Sequence, residues 1–261
     1  MTIIVGVKCT DGVVIGADSA ATSSHGPQRL IQIISDDKIN IIGGKVIIAC
    51  TGAVGLAQRF HGTVKAAWDP PKKLFQKPLA ECVREIARAT LQDFEQTAVP
   101  RLPPQQGGLG FGSLMAAPLD GAAQLIEFGS LDFQPEIKKD RLHFVAMGSG
   151  QVLADPFLAF VSRVLWGGNP PNVQMGAFGL YWVLSHTIQY APGGVGKPIK
   201  IAILKKEKGE WFARSMEGDE LQEPEQHVAE VEKMIAEYPK AVVEGAKPPP
   251  LPTLPKEEDR S

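Results

Sequence analysis

The sequence predicts an α+β fold in which two antiparallel sheets lie between outer layers of helices. β-branched runs, separated by Asp-Gly and Gly-Gly dipeptides typical of hairpin turns, fill roughly the first fifty residues. Two stretches with apolar residues at helical spacing follow, then further strands, two more helical stretches and a closing hairpin. Strands and helices that come in separate runs favour segregated layers over βαβ alternation.

Each element is predicted from a local pattern. Helices are predicted where apolar residues recur every three or four positions, and strands where short β-branched or apolar runs end in turn residues. The predicted strands are residues 3–8, 13–17, 38–42, 45–50, 111–117, 122–128, 143–146, 199–205 and 210–214. The predicted helices cover residues 56–67, 79–94, 153–164 and 175–188, and the Pro- and Gly-rich stretch 99–110 is predicted to be a loop.

The composition of the chain changes after Met216. Residues 1–216 contain all of the predicted strands and form the predicted folded domain. Residues 217–261 contain an acidic segment, a short amphipathic helix at 224–238 and a Pro-rich tail that is expected to be disordered.

Composition narrows the class of protein. The chain has 261 residues, of which 44% are hydrophobic and 21% charged, and these values are typical of a globular protein. A net charge of −2 gives no electrostatic reason to expect a nucleic-acid or membrane partner. Three cysteines among apolar neighbours indicate free thiols, and no signal peptide is visible, so a cytoplasmic protein is expected. The five histidines lack metal-ligand spacing, so no metal or other cofactor is expected.

The most informative residue for chemistry is Thr2. A small residue after the initiator methionine normally allows that methionine to be removed, and an N-terminal threonine can use its own α-amine to activate its hydroxyl. Asp18 ends the second predicted strand, Lys38 begins the third and Gly52 ends the fourth. Folding the first hairpin about Asp11-Gly12 places Asp18 close to Thr2. Taken singly, each of these residues also fits an ordinary role in a strand, a turn or the surface.

Together, the motifs resemble the catalytic β-subunits of the proteasome and their bacterial homologues. The similar segments are Thr2 to Val7, Asp11 to Asp18, and Thr51 to Gly55. Asp18 lies sixteen residues after Thr2, and Lys38 lies fourteen before Gly52, as in that family. The resemblance covers roughly residues 2–214 and is strongest over the first sixty. The interval from Asp18 to Lys38 is a few residues longer than usual, so residues 22–34 are interpreted as an insertion in a loop.

This resemblance implies the four-layer αββα sandwich of the N-terminal-nucleophile (Ntn) hydrolases and a threonine-type endopeptidase activity. Thr2 Oγ would attack the scissile carbonyl, and its α-amine would accept the hydroxyl proton. Lys38 would favour the neutral amine by like-charge repulsion, and Asp18 would hold the Lys38 ammonium. The Gly52 N–H would donate to the oxyanion, and Ser149 would support the nucleophile and its amine.

The same resemblance implies a substrate pocket and an assembly. Ala21, Thr22, Cys50 and Val54 would line a small-to-medium apolar pocket for the side chain before the scissile bond. Subunits of the family form stacked rings, so a homo-oligomeric ring acting on peptides is expected. The aromatic residues in and just after the 153–164 helix would offer contact surface, namely Phe157, Phe160 and Trp166. Whether an unfoldase partner exists is left open.

The sequence departs from the family at one segment. Before a Gly-Gly pair the family usually has an Asp and a Ser that bond into the site, whereas this chain has Gln189 and Pro192. Glutamine carries no charge, and proline lacks an N–H donor. Two alternatives therefore stay open: an Ntn amidase or acylase that acts on small amides, and a catalytically weak ring or scaffold subunit.

Overall fold

The computed structural model of the protein describes residues 2–24, 30–34, 38–70, 72–96, 109–191 and 194–243. Two five-stranded antiparallel sheets form its centre. Counted in chain order over the described residues, the strands are β1 (Ile4–Lys8), β2 (Gly12–Ala17), β3 (Ala20–Ser24), β4 (Leu30–Ile34), β5 (Ile39–Ile42), β6 (Val46–Gly52), β7 (Phe111–Leu119), β8 (Ala122–Phe128), β9 (Pro135–Ile137), β10 (Phe144–Met147), β11 (Lys200–Glu207) and β12 (Glu210–Ser215). The helices are α1 (Val54–Trp68), α2 (Leu79–Gln96), α3 (Gln151–Leu165), α4 (Val173–Tyr190) and α5 (Asp219–Val243).

The two sheets pack face to face and are covered by helices on their outer sides. The first sheet has the strand order β10-β1-β2-β11-β12, and the second has β5-β6-β7-β8-β9. Small and branched side chains such as Ile15, Ala49 and Leu114 fill the space between the sheets. Helices α3, α4 and α5 pack on the outer side of the first sheet, and α1 and α2 pack on the second. The predicted sandwich of two antiparallel sheets between helix layers is confirmed.

The periodic elements agree with the prediction, and the differences lie in the connections. The segment interpreted as a loop insertion, 22–34, contributes instead to a two-stranded antiparallel sheet in which Ala20 pairs with Ile34 and Ser24 with Leu30. The run Leu-Ile-Gln-Ile-Ile at 30–34 is rich in the β-branched residues that favour strands, so the extended pairing has a local cause. Strand β9 was not predicted, because three residues are too few to show a periodic pattern.

Helix α5 is longer than the helix predicted at 224–238. It begins at Asp219, and the acidic Asp219 and Glu220 in its first turn complement the positive end of the helix dipole. Val228 of α5 is buried in the same core as Phe178 of α4. The predicted tail beyond 243 lies outside the described residues. Among the described helices, none is both long and apolar enough to cross a membrane.

Candidate active site

The pairing of β1 with β2 brings Asp18 to the N-terminus of the chain. In this antiparallel pair Ile4 lies opposite Ala17, so the next residues outward, Ile3 and Asp18, also face each other. The Ile3 N–H donates to Asp18 Oδ1 at 2.9 Å, and the Asp18 N–H donates to the Ile3 carbonyl at 3.2 Å. The tight hairpin therefore holds the carboxylate one residue from Thr2.

The Asp18 carboxylate is fully buried and accepts hydrogen bonds on both oxygens. Besides the Ile3 bond, Oδ1 accepts from Lys38 Nζ at 2.6 Å. Oδ2 accepts from the N–H groups of Ala20 at 3.0 Å and Gly196 at 3.1 Å. A buried carboxylate is stable only when its charge is compensated, and here one ammonium and three peptide N–H groups do so.

Lys38 directly precedes β5, and its side chain is only 10% exposed. Its ammonium also donates to the Ala20 carbonyl. Burial lowers the pKa of the Lys38 amine below its ordinary 10.5, while the hydrogen bond and the charge of Asp18 oppose that shift. Burial therefore makes the charged form of Lys38 easier to lose than in an exposed lysine.

The turn from β10 into α3 holds the backbone of Thr2. The Thr2 backbone nitrogen donates to Ser149 Oγ at 3.1 Å, and the Gly150 N–H donates to the Thr2 carbonyl at 3.3 Å. Gly148 has a φ of +101°, and a Cβ there would lie 2.2 Å from the Thr2 carbonyl oxygen. Only glycine permits this approach, so the Gly-Ser-Gly turn fits tightly against Thr2.

Gly52 ends β6 in a conformation that excludes side chains. Its φ is +105°, and a Cβ would lie 2.0 Å from the carbonyl oxygen of Gly110. The strand can therefore end beside the site with its backbone uncovered by a side chain. The role of the Gly52 N–H as oxyanion donor stays a prediction.

A pocket of about 200 Å³ adjoins these residues. Thr51 and Gly52 lie on one side of it, and Gly148 and Gln151 on another. The pocket is thus continuous with the turn that holds Thr2. It is smaller than the roughly 300–1,000 Å³ of a typical small-molecule site, so it suits a single side chain.

The residues predicted to line the substrate pocket differ in burial. Cys50 is buried in the core between the second sheet and helices α1 and α2, and burial raises the pKa of its thiol to about 12. Val54, at the start of α1, is 63% exposed. The side chains of Ala21 and Thr22 lie outside the described residues. Cys50 therefore packs as a core residue, and the Val54 side chain remains accessible.

The segment that departs from the family is only partly described. Gln189 is exposed in the last turn of α4, and Pro192 lies outside the described residues. Support for Asp18 on this side comes from the main chain: the Gly196 N–H donates to Oδ2, and the Gly196 carbonyl accepts from the Ser19 N–H at 2.9 Å. Sequence reasoning missed Gly196, because a main-chain contact leaves no residue-specific signal beyond a glycine in a Gly-rich run.

The described residues contain no group of three or more His, Cys, Asp or Glu side chains arranged to hold a metal ion. Cys9, Cys50 and Cys82 are free and buried. Ser149 Oγ contacts the Thr2 nitrogen, and the Asp18 carboxylate links Lys38 to the neighbouring Ile3. Such a group supports proton transfer and nucleophilic attack by residues of the chain itself.

Comparison with known proteins agrees with this geometry. The family model described as Proteasome subunit matches residues 2–96, a range that includes Thr2, Asp18, Lys38 and Gly52. Among solved structures, the Gly-1 mutant of Anbu from Hyphomicrobium sp. strain MC1 has a TM-score of 0.65 and 14% identity, covering 90% of this chain and 96% of that chain.

A second structure, of Anbu from the same organism, has a TM-score of 0.64 and 12% identity with the same coverage. No curated protein matches the chain. At these identities the structural likeness establishes the fold. The resemblance predicted from the N-terminal motifs is therefore confirmed: residues 2–96 match the model of the proteasome subunit family, and the chain has the fold of the two Anbu structures.

Proposed function

We propose that this protein is a threonine-type endopeptidase whose nucleophile is Thr2 after removal of Met1. The family match and the fold support a proteasome-like hydrolase or ring subunit. The observation that carries the finer proposal is the buried Asp18 carboxylate, which joins Lys38 at 2.6 Å to the strand that begins beside Thr2. A surface role for these residues would not require an ion pair with a fully buried carboxylate and a lysine side chain only 10% exposed.

The proposed reaction uses groups of the chain alone. Thr2 Oγ attacks the carbonyl carbon of the peptide bond, and its proton passes to the Thr2 α-amine. The backbone nitrogen that becomes this amine lies 3.1 Å from Ser149 Oγ, which can orient it. The proton then moves to the leaving nitrogen as the C–N bond breaks, and water hydrolyses the resulting ester.

Electrostatics favour the amine as the base. The ordinary pKa of an α-amine is about 7.7–8.0, and a nearby Lys38 ammonium disfavours its protonation. Gly52 would supply the oxyanion donor, and such a donor typically contributes about 10²–10³ in rate. Asp18 keeps Lys38 in place without itself exchanging protons with substrate.

Assembly into homo-oligomeric stacked rings is part of the proposal. Helix α3 exposes Val152, Phe160 and Val164, at 82%, 37% and 54% of their surface, and these side chains could pack against another copy. Trp166, also named as contact surface from the sequence, is buried against the first sheet instead. Phe160 is therefore a better candidate than Trp166 for a subunit contact.

The test combines three measurements on the full chain. Intact mass should show loss of Met1, an epoxyketone inhibitor should add to Thr2, and a panel of fluorogenic peptides should be hydrolysed. Thr2→Ala should abolish turnover, whereas the matched Thr10→Ala, at an exposed position in the turn that follows β1, should retain it.

Other outcomes discriminate the alternatives. Hydrolysis of small amides without cleavage of any peptide would replace the peptidase with an amidase or acylase. Ring assembly without hydrolysis of either would leave a ring or scaffold subunit. Full activity with Met1 retained would contradict the mechanism itself.

A further inference from the structure

The pocket beside Gly52 lies on the opposite side of β6 from Cys50, which was predicted to contact the side chain before the scissile bond. Successive side chains of a strand point to opposite faces, and Cys50 points into the core beneath α1 and α2. Thr51 points the other way: its Oγ1 would lie 3.0 Å from a Cβ placed on Gly148. The pocket, which Thr51 and Gly148 both line, is therefore distinct from the predicted pocket around Cys50 and Val54.

The direction of proton transfer indicates which part of the substrate reaches this pocket. The leaving nitrogen must receive its proton from the Thr2 α-amine, so it departs on the side where that amine lies. The Thr2 nitrogen bonds to Ser149 Oγ, and the neighbouring Gly148 and Gln151 line the pocket. The pocket thus opens on the leaving-group side of the nucleophile.

The chemistry of the lining is polar and carries a negative charge. Glu127 contributes a carboxylate, and Thr51, Ser130 and Gln151 are also polar. Among the described residues that line the pocket, none is Lys, Arg or His. Its apolar side chains are Phe111 and Met147.

The charge on Glu127 is only partly neutralised. Its carboxylate lies 2.6 Å from the Lys138 ammonium, which is 4% exposed and also lies 2.8 Å from Glu136. Two carboxylates therefore share one ammonium, and the group keeps a net negative charge. Glu127 lines the pocket, whereas Glu136 is not among the residues that line it.

We propose that this pocket binds the side chain of the substrate residue that follows the scissile bond, and that it favours a basic side chain over an acidic one. The proposal rests on the proposed peptidase function and specifies its substrate class. An acidic side chain would meet Glu127 in a partly desolvated site, where like charges repel, while a lysine would find a carboxylate partner.

The experiment measures a ratio within each protein. Quenched fluorescent peptides that differ only in the residue after the scissile bond, Lys or Glu, are compared by kcat/KM. The wild type should favour Lys about three- to tenfold, the range for one partly screened charge contact. Glu127→Gln should reduce the ratio to near one. Glu136→Gln keeps the Glu127 carboxylate at the pocket but lets Lys138 neutralise it more fully, so the ratio should fall less than in Glu127→Gln.

A second variant covers the case in which Glu127→Gln does not fold. Gln151 is exposed at the start of α3, so Gln151→Lys is compatible with the fold and places a cation at the pocket. This change should lower the Lys-to-Glu ratio about threefold, by the same charge contact with reversed sign. A ratio that stays at the wild-type value in Gln151→Lys, or that falls equally in Glu136→Gln and Glu127→Gln, would overturn the pocket assignment.

The two proposals fail in distinguishable ways. Cleavage of the panel by the wild type with equal rates for Lys and Glu would overturn only the pocket assignment. Absence of cleavage for every peptide would overturn the peptidase, and the pocket assignment with it.

Discussion

Asp18 is held from two sides by different kinds of groups. On the N-terminal side, the Lys38 side chain and the Ile3 N–H converge on Oδ1. On the side that follows α4, the contact with Oδ2 comes from the Gly196 main chain, while the Gln189 side chain is exposed. The difference teaches that a site can differ in its side chains from the family that it resembles and still receive hydrogen bonds from the backbone.

The two sides of Asp18 should respond differently to mutation, both in activity and in the free energy of unfolding. Asp18 and Lys38 cannot be replaced without loss, because their ion pair depends on both the charge and the position of each side chain. On the other side, the Gly196 N–H remains whatever side chain residue 189 carries. Mutations should therefore have large effects at 18 and 38, and small effects at 189.

The largest effect is expected for Asp18→Asn. The new amide group would face N–H donors or the Lys38 ammonium, and Lys38 would lose its only described carboxylate partner. We expect a loss of about 3–5 kcal/mol in the free energy of unfolding, as for a broken buried pair, together with loss of hydrolysis. Urea unfolding followed by circular dichroism measures the first.

The control for this change is Asp140→Asn, which breaks an ion pair with Lys8 whose acidic member is 79% exposed. That change should cost at most about 1 kcal/mol. Equal losses in the free energy of unfolding at positions 18 and 140 would show that the buried Asp18 carboxylate stabilises the fold no more than an exposed one does.

A smaller effect is expected on the pH profile, through Lys38. Its pKa is lowered in the folded chain, so on raising the pH Lys38 loses its proton before the ordinary 10.5 of the unfolded chain. Turnover should decline over this window, because the ammonium near the amine is lost. Stability should move the other way, since the unfolded state binds more protons there and the free energy of unfolding rises with pH.

Lys38→Arg is the matched variant, because a guanidinium keeps its charge throughout this range. Its residual activity should show no alkaline decline in kcat/KM below pH 10.5. An identical decline in both proteins would assign the titration to another group.

The smallest effect is expected at Gln189. Gln189→Ala should change kcat/KM by less than about twofold and the free energy of unfolding by less than about 0.5 kcal/mol, as for other surface positions. Gln189→Asp, which introduces the residue usual in the family, provides the sharper measurement. A tenfold gain in kcat/KM in Gln189→Asp would show that a side chain at 189 supports the site, and that the backbone contact from Gly196 alone is not sufficient.

The parts of this molecule that could be predicted from sequence are those with local or periodic signals. Hairpin turns at Asp11-Gly12 and Gly43-Gly44 set the register of the strands, and the register places Asp18 beside Ile3. Helices α2 and α4 repeat apolar residues often enough to be recognised. The resemblance to the family then predicted that Lys38 and Ser149 belong to the same site as Thr2.

Other features had no such signal. The β3–β4 pairing lies in a segment that was interpreted as a loop insertion, and the pocket beside Gly52 is lined by residues from β6, β7, β8, β10 and α3 that are remote in sequence. The Gly196 contact depends on main-chain position alone. These features arise from tertiary packing, which a single sequence does not display.

The position of α5 has a consequence for how the end of the chain is viewed. Composition separates residues after Met216 from the rest, yet Val228 shares a core with α4. Glu225 contacts Lys197 at 3.1 Å, and the neighbouring Gly196 holds Asp18. Two contacts and one peptide bond thus lead from the last helix to the buried carboxylate. A protein shortened at Met216 would lose the packing of α5 on α4. The segment after Met216 therefore supports the elements that hold Asp18.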